Sequence, residues 1–147
     1  MAETKRRLLA CDHAAIFIAI AGAYTPITLL AMPARPGLFL LAAVWFLALA
    51  GILLRLFCLR YMHPLFVLMF FVMGWMGFVF APTMAQGMGE EAVTLLLVGN
   101  LGCTGGIAFY GWKGIRFHHA LWHLASLAGT IVHFIVIYDF ALLAARA

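Results

Sequence analysis

The 147-residue chain is 67% hydrophobic and only 10% charged, with a net charge of +4 and a mean hydropathy of +1.10, values that place it in a bilayer rather than in water. The same figures exclude a nucleic-acid-binding module, because the few basic residues flank apolar segments instead of forming a tract interleaved with aromatics. A membrane β-barrel is excluded as well, since no alternation of apolar and polar residues runs through any segment.

Apolar stretches of about 20 residues, enough to cross some 30 Å of hydrocarbon, predict five helices, near 9–31, 37–58, 65–84, 91–110 and 119–143. The expected fold is an all-α, polytopic transmembrane helix bundle forming a single domain over residues 1–147. The first segment opens with Cys11-Asp12-His13. Its length and the charge at its start make it a span rather than a removable signal peptide. Pro33 and Pro36, in Met32-Pro33-Ala34-Arg35-Pro36-Gly37, remove backbone donors and predict a hairpin break before the second helix. Pro64 suits the first turn of the third helix, and Pro82 predicts that this helix frays into Thr83-Met84-Ala85-Gln86-Gly87-Met88-Gly89. Gly102, Thr104, Gly105 and Gly106 give the fourth helix a small-residue face that permits close approach of a neighbour. The fifth opens with His119-x-x-x-His123.

Charge sets the expected orientation. Lys5, Arg6, Arg7, Arg55, Arg60, Lys113 and Arg116 fall at one end of the spans, whereas the other end has Arg35 and Arg146 with Glu90 and Glu91. The positive-inside bias then puts the N-terminus in the cytoplasm and, after five crossings, the C-terminus outside. Helices one and five consequently run in the same direction, so Asp12, His13, His119 and His123 lie at similar shallow depth and can converge.

On the last helix a rotation of about 100° per residue places His119, His123, Ser126, Thr130 and His133 in one polar stripe. The i, i+4 spacing lets two imidazoles reach one metal from adjacent turns, and neutral imidazole suits Zn²⁺. Catalytic zinc keeps three protein ligands and a water. Asp12 could serve either as the third ligand or as the base that orients that water. The bland reading is that paired histidines at a helix start cap carbonyls or snorkel to the interface. His133 lies roughly 15 Å deeper than His123, too far to share its metal, and reads as an interhelical hydrogen-bonding group. His13 is expected to face another helix or the headgroups, and His63 and His118 the interface. Cys11, Cys58 and Cys103 have no paired spacing and imply no disulfide framework. A retinal protein is excluded because both lysines, Lys5 and Lys113, lie outside the spans.

Asp12-His13-Ala14-Ala15-Ile16-Phe17 followed by Ile20-Ala21-Gly22-Ala23-Tyr24-Thr25-Pro26 closely resembles the first conserved segment of the hemolysin III family, related to the progestin and adipoQ receptors. Gly105-Gly106-Ile107-Ala108-Phe109-Tyr110, His119-Ala120-Leu121-Trp122-His123, Gly129 and His133-Phe134 resemble its last two helices. The resemblance covers nearly the whole chain, as helices three to seven of a seven-helix fold. It implies a zinc site near the cytoplasmic face with His119 and His123 as ligands and Asp12 holding the metal-bound water. It also implies a further zinc histidine and a serine on a helix that would precede Met1.

Two function classes follow. The first is a zinc-dependent hydrolase of lipid amides such as ceramides, acting in the inner (plasma) membrane of a bacterium with membrane lipids as its partners. The second is a non-catalytic membrane protein, either lytic or channel-forming, or a truncated member with a degenerate metal site.

Overall fold

The computed structural model describes residues 2–58, 63–112, 114 and 116–142, and all its regular structure is helical. Helix α1 runs Ala2–Leu30 and α2 runs Ala34–Leu53, continuing as a π-helical turn over Leu54–Cys58. Helix α3, His63–Met76, passes through a 3₁₀ turn at Gly77–Phe80 into the short α4, Ala81–Met88. Helix α5 spans Glu90–Gly111, and α6 spans His118–Val136 with a π-helical turn at Ile137–Leu142. Grouped by length and hydropathy these make five spans, Ala10–Leu30, Ala34–Phe57, Pro64–Met88, Glu90–Phe109 and His118–Phe140. The side chains of Lys5, Arg6, Arg7, Arg60, His63 and Lys113, on which the expected orientation and one interfacial histidine rest, lie outside the described residues.

Because lipid tails are as apolar as leucine, hydrophobicity alone does not choose which face of a membrane helix turns inward; packing and small residues do. On α2 the buried residues are Gly37, Leu40, Val44, Ala48 and Gly51, a single stripe with helical spacing. Phe39, Phe46, Leu49 and Leu53 of the same helix point away from the bundle. Gly51 exists as glycine for a steric reason: a Cβ there would enter the ring of Phe17. Phe17, Phe66 and Met73 are fully buried and form the centre of the core with Leu40 and Val44.

Pro33, Pro36 and Pro82 fall where the backbone can spare a donor, whereas Pro26 lies inside α1. Pro33 caps α2 in an extended conformation, and Pro36 enters its first turn, so the helix starts at Ala34 rather than near residue 37. Pro82 likewise occupies the first turn of α4. The third span therefore does not fray at Pro82; it restarts there and continues to Met88. The passage from α3 into the 3₁₀ turn is organised by Tyr24 of α1, whose hydroxyl donates to the Met73 carbonyl at 2.9 Å, lies 3.1 Å from the Gly74 carbonyl, and accepts from the Gly77 N–H at 3.1 Å. A change of helical pitch leaves backbone groups unmatched, and one phenol serves those on both sides of the break.

Helices α5 and α6 form the most extensive pair in the bundle. Of the expected glycines, Gly106 does face α6, where a Cβ would lie 3.0 Å from that of Ala125, but Gly105 faces open space. The closest approach is made by Gly99 and Gly129, which bring the two backbones together further along the pair.

Candidate metal centre

Asp12 lies at the start of the apolar part of α1, and His119 and His123 occupy the first two turns of α6. An odd number of spans makes α1 and α6 parallel, so residues 107 positions apart in sequence share one end of the bundle. One donor atom from each of Asp12, His119 and His123 lies within 4.8 Å of the others. The two imidazole Nε2 atoms are 3.0 Å apart. Two nitrogens on one tetrahedral zinc at about 2.0–2.1 Å would be separated by roughly 3.4 Å, so the rings need to part by only a few tenths of an ångström.

The carboxylate has an independent sign of an absent partner. Its Oδ2 is enclosed and has no hydrogen-bond partner among the described residues, standing 3.9 Å from His13 Nδ1. A buried carboxylate oxygen without a donor is costly, and a cation placed among these three residues would relieve it. Zinc accepts two imidazoles beside a carboxylate that either binds it directly or holds a metal-bound water.

Local structure holds these residues in place. Phe117, just before α6, has φ 64°, a left-handed conformation uncommon for a bulky residue. The turn it makes launches α6, and its carbonyl receives the Leu121 N–H at 3.1 Å. Trp122 is 7% exposed and its ring lies against both imidazoles, with centroids 5.3 Å from His119 and 4.7 Å from His123. His13 faces another helix as expected, packing on Phe66 and Phe70 of α3. His133 also has the expected role: its Nε2 lies 3.1 Å from the Leu96 carbonyl of α5. Cys11 and Cys103 are free thiols.

Below this group lies a cavity of about 410 Å³ between α1, α3, α5 and α6. His123, Ser126, Thr130 and His133 supply one edge of it, so the polar stripe of the last helix borders this cavity, with His123 and Thr130 exposed along it. Most of the remaining wall is apolar, with Ile16, Ile20, Phe70 and Leu96 among its members.

Several functional elements escape the linear sequence. Arg55, grouped there with the solvated basic flank, is 4% exposed and stacks its guanidinium over Phe66 at 5.5 Å. The Trp75 indole donates to the Thr104 hydroxyl at 3.1 Å across α3 and α5, closing one side of the cavity. Asn100 is buried on the cavity wall; its presence as the only asparagine, inside an apolar run, was a usable signal.

A family model described as Haemolysin-III related matches residues 1–134. The chain belongs to this family. The "Hemolysin-3 homolog" of Bacillus subtilis (strain 168) is 36% identical over 132 residues, covering 90% of this chain and 62% of that protein. "Hemolysin-3" of Bacillus cereus is 34% identical over 131 residues, covering 89% and 60% respectively. The chain thus spans about three fifths of the length of these curated relatives. No solved structure matches it significantly. Family membership and five apolar helices together make this a hemolysin III family integral membrane protein.

Proposed function

We propose that this hemolysin III family member is a zinc-dependent hydrolase of lipid amides, working at the cytoplasmic face of a bacterial plasma membrane. The observation that carries the reading is the convergence of Asp12, His119 and His123, the last of which also lines a largely apolar cavity. In this reading His119 and His123 hold the metal and Asp12 is the base. Zinc in such a site supplies Lewis acidity toward a carbonyl oxygen and brings a water toward neutrality in pKa. Asp12 takes a proton from the attacking water and returns it to the departing amine nitrogen, so that one amide and one water become one acid and one amine. The cavity below His123 accepts the acyl chain, which sets the amide at the polar end. The cytoplasmic assignment rests on the basic residues gathered at that end of the chain.

Zinc content and turnover separate the roles. Purified protein is expected to carry zinc that His119→Ala and His123→Ala each remove, whereas Asp12→Asn retains it and loses about 100-fold or more of the turnover of a fluorescent ceramide. Zinc that survives both histidine substitutions rules out the metal assignment, and unchanged turnover in Asp12→Asn removes Asp12 from the chemistry. The relatives' name, hemolysin-3, supports a second reading as a lytic membrane protein. Liposome leakage insensitive to a chelator would favour it.

A further inference from the structure

Among the described residues, Asn100 carries the enclosed side-chain polar atom on the cavity wall that has no hydrogen-bond partner. The residue is 6% exposed, and the atom is its Nδ2. Its polar neighbours on the wall are engaged: Tyr24 with the Met73 carbonyl, Trp75 with Thr104, Thr130 with the Ser126 carbonyl, and His133 with the Leu96 carbonyl. Such an amide in a bilayer span is expensive unless something pairs with it. Room has been left for it, since the opposing residue on α3 is Gly74, where even a Cβ would come within 3.0 Å of Asn100 Oδ1.

Its depth follows from the register of α5 on α6. Gly106 meets Trp122 and Ala125, and Gly99 meets Gly129 and His133, which sets Asn100 level with Thr130. That is seven residues beyond His123, on the order of 10 Å along the cavity from the metal group. An acyl chain whose amide sits at the metal would pass Asn100 near the middle of its length. A carboxamide both donates and accepts, and so does a hydroxyl.

We propose that Asn100 is a recognition point for a hydroxyl group carried in the middle of the acyl chain, so that the cavity selects hydroxylated over plain acyl chains. The proposal rests on the reading of the cavity as an acyl-chain site. Discrimination arises because a chain without the hydroxyl leaves the buried amide unpaired, and a site built around a hydrogen bond rejects an analogue that lacks it.

The test is a binding measurement, independent of turnover. Purified full chain in lipid nanodiscs is loaded with a fluorescent fatty acid, which is displaced by stearic acid or by a mid-chain hydroxystearic acid, with zinc present and after its removal. The hydroxylated acid is expected to displace the probe at about tenfold lower concentration in the wild type. In Asn100→Leu the ratio falls to about one while stearic acid binds at least as well. Equal affinities in the wild type, the result if an enclosed water already satisfies the amide, overturn the proposal without any variant. Discrimination that survives Asn100→Leu overturns it equally. If neither acid displaces the probe, the acyl-chain cavity itself falls; binding of both without preference sinks only the role of Asn100.

Discussion

Replacing Gly129 with alanine tests whether the α5–α6 contact positions the metal centre. A Cβ at this residue would sit 2.5 Å from the Gly99 carbonyl oxygen and collide with Cys103 Sγ. Ordinary contact begins at 3.4 Å, so the two helices must part by about 1 Å, because a helical carbonyl cannot rotate aside. Overpacking of this kind costs about 1–3 kcal/mol, offset by up to ~1 kcal/mol from exchanging a helical glycine for alanine. The expected net is a loss of about 1–2 kcal/mol in a denaturant titration in mixed micelles, with weakened zinc retention because α6 carries His119 and His123. Gly105→Ala is the internal control. Nothing lies within 4 Å of its added Cβ, so only the propensity gain remains and the protein should be as stable as the wild type or slightly more so. Equal stability of Gly129→Ala and wild type, or equal destabilisation by both substitutions, would refute the reasoning.

Three further outcomes follow from the same geometry. Tyr24→Phe removes the hydroxyl that bridges the break at Gly77 and is expected to cost about 1–3 kcal/mol, with faster hydrogen exchange at the Gly77 amide; unchanged protection there would show that the break does not depend on Tyr24. His133→Leu should cost only about 1 kcal/mol, because the Leu96 carbonyl it loses is an α-helical acceptor that retains its backbone donor. Its zinc content should match the wild type, since it lies roughly 15 Å from His123, and loss of zinc would place it in the metal shell. Chelation should lower the melting temperature and added zinc restore it, by up to about 4 kcal/mol at free zinc a thousandfold above the dissociation constant. His123→Ala should melt alike with and without chelator, and a wild type indifferent to chelator would exclude a bound metal.

The five helices were legible in the sequence because the bilayer imposes one requirement that can be counted residue by residue: enough consecutive apolar side chains to cross the hydrocarbon, with the backbone paired internally. Helix polarity followed by counting crossings, and that alone brought Asp12 to the same end as His119 and His123. The i, i+4 pair needed only the pitch of the helix. What hydropathy did not reveal was which apolar residues face inward, since lipid and protein interior are nearly equivalent solvents for them. Hence the small-residue face groups Gly105 with Gly106 although only the latter touches α6, and nothing in the hydropathy marks Gly99 and Gly129 as the pair that brings the backbones together. Pro82 does not end the span because its missing donor is tolerated in a first turn, and a new α-helical turn begins there after the 3₁₀ segment.

By itself, then, the sequence determined the solvent, the number of spans, the relative direction of α1 and α6, and the residue types able to hold a metal. These depend on length, composition and helical pitch, which are local properties. Tertiary structure alone decided that the polar stripe of α6 lines a cavity, that Arg55 leaves the basic flank to stack on Phe66, and that Asn100 Nδ2 is enclosed without a partner among the described residues. Those outcomes depend on which helix lies opposite and at what register, set by steric fit between backbones at a few glycines, and no single segment contains that information.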